Sequence, residues 1–323
     1  MAEAIESSVI RKVKLGKSNL SVSNIALGTL PFASYRNKNN KNGLSELVSY
    51  AYSVGINLFD TAEVYDNYEL LGASLKGLDD AIIITKAYAI DEKDVSRSLL
   101  KARRLMKRDV DIFMLHEQES VFTIKGHLKA LEYMNKLKER GDIKAVGIST
   151  HRISGVKGVL SFLELIDIVM AIINYAGLGI YDGVRDEMEL ALEECYKANV
   201  GIIGMKIFGG GHLVRIIDKA IEYVRGLDFI HSFLLGVQTV DELKLDLYLF
   251  GGLQVEKTLL ESYKKKIRRI EIEPWCTGCG ICVDRCGQGA LRLIDGKVEV
   301  ISDRCVLCSY CAQVCPDFSI KVV

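Results

Sequence analysis

The strongest constraint on this chain lies near its end. Cys276-x-x-Cys279-x-x-Cys282-x-x-x-Cys286 is followed, after eighteen residues, by Cys305-x-x-Cys308-x-x-Cys311-x-x-x-Cys315-Pro316. Eight of the nine cysteines fall within these forty residues, in two copies of one spacing. Runs of this form hold two [4Fe–4S] clusters, the fourth cysteine of each run serving the other cluster. Cys-x-x-Cys pairs also bind zinc, but the doubled four-cysteine spacing and the proline after Cys315 favour iron and sulfur. Cys195 stands apart in a helical pattern and reads as a buried apolar residue.

The rest of the chain has a different rhythm. Short apolar runs at 24–29, 56–61, 81–86, 111–116, 145–150, 166–174, 200–208 and 230–237 read as strands. Helical periodicity fills the gaps, most clearly at 95–106, 128–140 and 187–198. Before them, 11–23 alternates on either side of Gly16-Lys17-Ser18-Asn19 and reads as a hairpin. Eight strands alternating with helices over roughly 250 residues is the arithmetic of a (β/α)8 TIM barrel. No Gly-x-Gly-x-x-Gly follows an early strand, which argues against a doubly wound sheet. Gly209-Gly210-Gly211 after the seventh run either holds a phosphate at a helix N-terminus or turns the chain. The expected fold class is therefore α/β: a barrel over 1–269 with an N-terminal hairpin, then a small α+β cluster module over 270–323. The link 270–275 is too short for free tethering, so the module should dock on the barrel.

Composition narrows the partners. Lys plus Arg and Asp plus Glu both number 42, so a nucleic-acid partner has no electrostatic footprint. Residues 271–323 carry seven acids and five bases, and two clusters on eight thiolates would lower that by roughly four further units. The basic run 264–269 just upstream either pairs with this charge or forms a solvated helix end. Residues 1–8 lack the basic and apolar regions of an export signal, and no run of eighteen apolar residues occurs. The expectation is a cytoplasmic protein without membrane insertion, its thiols reduced.

In a barrel, side chains at strand C-termini face the active site. Asp60 ends the second run, Tyr65 follows in its loop, Lys86 ends the third and His116 the fourth. Singly, Asp60 is a helix cap, Tyr65 a packing residue and Lys86 a solvated cation; at adjacent strand ends they make a coherent acid. A tyrosine with a reference pKa of about 10 is a poor acid near neutrality. An ammonium beside it favours phenolate, and a carboxylate holds that ammonium in place. A histidine can orient a carbonyl. No side chain supplies hydride, so such a site requires a nicotinamide.

Asp60-Thr61-Ala62-Glu63-Val64-Tyr65, followed by Glu69-Leu70-Leu71-Gly72, resembles the signature of the aldo-keto reductases, and the resemblance runs from about residue 11 to 263. It implies that Asp60, Tyr65, Lys86 and His116 form the catalytic tetrad and that the hairpin plugs the barrel bottom. It implies nicotinamide contacts at Gly28, Thr29 and Ser149, with Thr150 standing where an asparagine is usual. Residues 170–174 lack the customary glutamine, and Met205, beside Lys206, replaces a tyrosine that stacks on the ring. Gly236 opens the adenosine-phosphate region, where Glu242 disfavours a 2′-phosphate and Lys244 favours one; NADP versus NAD stays open. Tyr65-Asp66 departs from the usual Tyr-Gly. The long C-terminal substrate loop of the family is absent, and the cysteine runs, similar to those of bacterial-type ferredoxins, follow instead. The first run ends Cys286-Gly287 rather than Cys-Pro, which alters the turn and not the ligand set.

The implied activity interconverts a small carbonyl or alcohol substrate, while the clusters serve a redox protein partner. Hydride carries two electrons and a cluster moves one at a time; a flavin would bridge them, and no motif specifies one. Two alternatives stand beside this reading. The clusters are structural or serve docking, or the barrel is a non-catalytic subunit of a larger redox complex.

Overall fold

The computed structural model describes residues 9–33, 41–253, 255–264, 269–305 and 310–322. Cys308 and residues 265–268 of the basic run lie outside the described residues. The alternating stretch at the N-terminus forms an antiparallel hairpin, β1 (Lys12–Lys14) with β2 (Ser21–Ser23). Eight parallel strands then close on themselves: β3 (Ile25–Gly28), β4 (Leu58–Asp60), β5 (Ile82–Ala87), β6 (Ile112–Leu115), β7 (Ala145–Thr150), β8 (Ile168–Ile172), β9 (Gly201–Met205) and β10 (Ser232–Leu235). Parallel β10–β3 pairing completes the ring. Each strand falls within one of the eight apolar runs, give or take a terminal residue. Amphipathic helices cover the outside. In Glu92–Met106, for example, Val95, Leu99, Ala102 and Met106 are buried at helical spacing, and Asp91 caps the start by accepting from Asp94 N at 3.0 Å.

Strand side chains alternate between faces, and inside the barrel this builds layers. Leu58, Ile82, Ile84, Ile112, Met114, Ala145, Ile168, Met170 and Ile203 pack in one interior cluster. Leu15, Leu20 and Val22 of the hairpin join that cluster and close the N-terminal end of the barrel. The seal is tight. Lys17 N donates to Asn199 O at 2.8 Å, and a methyl group added at Gly16 (φ +51°) would lie 2.3 Å from Gly201 N. At the other end the same alternation continues into polar residues, Leu58 to Asp60, Ile84 to Lys86 and Met114 to His116.

The cluster module has two small antiparallel sheets, β11 (Ile270–Ile272) with β14 (Ile320–Val322) and β12 (Leu291–Ile294) with β13 (Lys297–Val300). Among the described residues, its own buried cluster comprises Ile270, Cys282, Leu291, Val298 and Ile320, with cysteines packed around them. The module docks at the mouth of the barrel. His212 Nε2–H, after β9, donates to Ile320 O at 3.0 Å. A methyl group at Gly211 (φ +92°) would come within 2.0 Å of Val322 O, and one at Gly179 within 2.8 Å of the Phe318 ring. The glycine run after β9 thus both turns the chain and lets the last strand of the module approach the barrel. Among the described residues, no helix is long and apolar enough to cross a membrane.

Candidate active site and cluster sites

At the barrel mouth Asp60 and Lys86 are almost wholly buried, at 1% and 2% exposure. The Lys86 ammonium is hydrogen-bonded to Asp60 Oδ1 and donates to Thr61 O at 2.8 Å. Burial pushes Asp60 up and Lys86 down, and the contact between them opposes both shifts. Thr29 does not face the cleft but braces this pair, its Oγ1 donating to Asp60 O at 2.9 Å. Asn67 Nδ2 in turn donates to Thr29 O and Oγ1, and Thr61 Oγ1 donates to Asn67 Oδ1 at 2.7 Å.

Tyr65 is half-buried in the loop after β4, with Lys86 Nζ 5.2 Å from its ring centroid. The His116 ring meets it edge-on at 6.3 Å and stacks on Tyr88 at 4.9 Å. The unusual Asp66 adopts the left-handed conformation that a glycine there would take (φ 50°, ψ 43°), so the turn beside Tyr65 is kept. Aspartate tolerates this region better than most residues. His116 Nδ1 and His151 Nε2 are buried without a hydrogen-bond partner. Burial holds both imidazoles well below the usual range; Lys86 adds most to the effect at His116, and Lys206 and Lys321 at His151.

Two cavities meet at Tyr65. The first, about 190 Å³, is lined by Gly28, Asp60, Tyr65, Met170, Met205, Lys206, Gly236, Gln238 and Glu242. The second, about 570 Å³, contains Tyr65, Lys86, Tyr88, His116, Ser149, Thr150 and His151 and is walled by Trp275, Asp317, Phe318 and Lys321 of the module. Met205, Lys206, Tyr65 and Lys321 border both.

Several expected cofactor contacts sit differently. Ser149 Oγ accepts from Glu117 N at 3.0 Å, and Thr150 Oγ1 accepts from Arg152 N at 3.0 Å; both line the second cavity rather than the first. Lys244 turns onto the Tyr50 ring, its Nζ 5.2 Å from the centroid, and does not line the first cavity. Glu242 accepts from Gln238 N at 2.9 Å while Thr239 caps the same helix, so its carboxylate has a structural task as well as a place in the cleft. Tyr88, His151, Arg152, Met170, Trp275, Phe318 and Lys321 were not foreseen. For Met170 the interior alternation was a usable signal; the module residues had none.

In the module, Cys276, Cys279, Cys282 and Cys315 line one small cavity with Asp317, Ser319 and Ile320. Three cysteines of the first run and the fourth of the second is the interleaved set that paired clusters require. Burial first, then the neighbouring Cys315, Cys279 and Cys276, push the free Cys282 thiol up to about 11. Backbone N–H groups point at the fourth cysteine of each run. Ala290 N donates to Cys286 Sγ and Ser319 N to Cys315 Sγ, both at 3.3 Å. Gly289 (φ +56°) and Phe318 (φ +43°) hold equivalent left-handed positions three residues after those cysteines. Cys305 and Cys311 lie beside the small core, as Cys286 does.

Residues 24–229 match the family model described as the aldo/keto reductase family, well over half of the chain. The chain belongs to the aldo/keto reductase family. Residues 275–318 match a 4Fe-4S dicluster domain. Among curated relatives, the uncharacterised oxidoreductase YqkF of Bacillus subtilis is 28% identical over 179 residues, 50% of this chain and 56% of that protein. The D-arabinose 1-dehydrogenase of Saccharomyces cerevisiae is 30% identical over 156 residues, 42% of this chain and 46% of that protein. The chain spans about half the length of the curated relatives it matches. In fold it is similar to aldo-keto reductase AKR11C1 from Bacillus halodurans, with a TM-score of 0.59 at 19% identity over 79% of this chain and 95% of that one. The silkworm Bombyx mori reductase AKR2E5 complexed with NADPH gives 0.60 at 16% identity over 79% and 87%.

Proposed function

We propose that the barrel, residues 1–269, interconverts a small carbonyl compound and its alcohol, and that the module, residues 270–323, carries two [4Fe–4S] clusters serving a redox protein partner. The observation that carries this reading is the convergence of Asp60, Lys86, Tyr65 and His116 where the two cavities meet. A nicotinamide in the first cavity, held by Gly28, Met205, Lys206 and Gly236, would supply hydride. NADPH is the nucleotide bound by the silkworm relative; Glu242 in the cleft favours NAD here.

The side chains supply the rest. His116, kept neutral by burial, presents an uncharged nitrogen to the substrate oxygen and aligns the carbonyl. Tyr65 delivers the proton to that oxygen. Lys86 then sits against the phenolate it leaves, and Asp60 keeps Lys86 from turning toward solvent. Removing a positioned acid of this kind costs on the order of 10² to 10⁴ in rate. Three cysteines of the first run with Cys315 would hold one cluster; Cys305, Cys308 and Cys311 with Cys286 would hold the other. Bound there, the clusters supply one-electron transfer. Asp317 borders both the cluster cavity and the carbonyl pocket, so the first cluster is the one nearest the chemistry. Thiolate ligands of this kind fit a reducing compartment such as the cytoplasm.

Anaerobic titration of the cluster-loaded protein with NADH and NADPH, followed by nicotinamide fluorescence, tests the reading. Saturable binding of at least one is expected, with aldehyde-dependent oxidation of the bound nucleotide. Binding of neither would leave the barrel as a docking subunit.

A further inference from the structure

The cavity in front of Tyr65 is walled by both parts of the molecule, and its charges are unevenly distributed. Its carboxylates are engaged with neighbours. Glu117 accepts the Tyr88 hydroxyl at 2.8 Å and faces His151 Nδ1 at 3.6 Å, Glu119 faces Arg152 at 3.4 Å, and Asp317 accepts from Thr277 at 2.6 Å. The same cavity is also lined by Lys206 of the barrel and Lys321 of the module, with Arg152 stacked on Tyr181 at 4.0 Å.

Lys321 is built into the cavity wall. It is 4% exposed and lies with Nζ 3.5 Å from the Phe318 ring centroid, hydrogen-bonded to Phe318 O. Gly210 (φ +66°) makes room for its stem, since a methyl group there would lie 2.8 Å from Lys321 Cδ. Phe318, in turn, is held at φ +43° by the turn that follows Cys315. Across the cavity His116 is 7% exposed with Nδ1 unpartnered, and His151 Nε2 is likewise buried without a partner. Neutral imidazole offers one donor and one acceptor, so each of these nitrogens can bond a ligand atom.

We propose that Lys321, with His151 and Arg152, binds a carboxylate on the substrate, so that the reductase acts on carbonyl compounds carrying an acid group a few bonds from the carbonyl. The inference rests on the carbonyl chemistry proposed above and adds its substrate class. The cluster module then helps to select the substrate, through the side chain that replaces the family's long C-terminal loop. Charge-assisted hydrogen bonds discriminate a carboxylate from its ester by about tenfold or more.

The test uses full-length, cluster-loaded protein with 4-carboxybenzaldehyde and its methyl ester. Lys321→Gln is expected to raise the ratio of KM for the acid to KM for the ester about tenfold. Lys321→Arg should restore most of it, and the cluster absorbance of both variants should match that of the parent. Calorimetry with benzoate and benzamide, which bind without reacting, provides the second readout; benzoate should bind more tightly, and Lys321→Gln should remove that advantage. An unchanged KM ratio, or benzoate bound no better than benzamide, would overturn the proposal. Loss of nicotinamide affinity alone in Lys321→Gln would overturn it too, because the cation would then serve the cofactor diphosphate. If neither aldehyde is turned over by the parent protein, the carbonyl reading falls, and calorimetry still decides the anion site.

Discussion

The barrel and the cluster module hold their functional side chains in opposite ways. In the barrel, Asp60, Lys86 and His116 are the next residues of inward-facing rows that begin with Leu58, Ile82 and Ile112, so the hydrophobic layers below fix their positions. In the module the order is reversed. Among the described residues five buried ones form its core, one of them a proposed ligand, Cys282, and Cys276, Cys286, Cys305, Cys311 and Cys315 pack around that core. A core of that size does not stabilise a fold of some fifty residues, and small modules of this kind lean on their metal centres. On the proposed reading, cluster loading and pocket shape are linked, because whatever holds the module together also holds Trp275, Phe318 and Lys321 against the cavity in front of Tyr65.

The comparison breaks most visibly if the clusters are removed. Chelation after oxidation is expected to unfold the module while the barrel keeps its structure. Limited proteolysis should then cut first within 270–323 and leave a resistant fragment ending near 264. A module that stays protease-resistant without iron would show that its thin core suffices.

A smaller effect tests the joint between the two regions. Burial holds His212, which donates to Ile320 of the module, down to about 4, with the Ile320 carbonyl opposing and Lys321 assisting. An unfolded histidine titrates near 6.5. The unfolded chain therefore takes up a proton that the folded chain refuses as pH falls through 6.5, so stability is full above that value and declines toward 4. Between pH 7 and 5.5 the loss should be about 1 kcal/mol for this residue. Thermal unfolding should show a lower Tm at pH 5.5, with a shallower dependence in His212→Gln. An identical slope in the variant would remove His212 as the source.

The two regions also differed in what their residues disclosed beforehand. The barrel strands and the convergence of Asp60, Tyr65, Lys86 and His116 were legible because strand alternation carries position directly into the sequence. The fold of the module was legible from the cysteine spacing for a similar reason, the geometry of its ligands being local. Contacts between distant segments were not legible. Nothing around Lys244 says that it turns onto Tyr50, and Glu242 reads as a charge in the cleft until its bond to Gln238 N is seen. The stretch 316–321, running into β14, carries no pattern that announces a wall of the cavity in front of Tyr65. It acquires that role from the approach permitted by Gly179, Gly210 and Gly211, far away in the chain.

On the proposed reading, proton transfer belongs to the barrel and electron storage to the module. Tyr65→Phe in the full-length, cluster-loaded protein tests it most directly, by measuring carbonyl turnover alongside the visible absorbance of the clusters. The account predicts turnover lower by about 10² to 10⁴, with cluster absorbance and nicotinamide affinity essentially those of the parent. Turnover that survives the loss of the hydroxyl would contradict it.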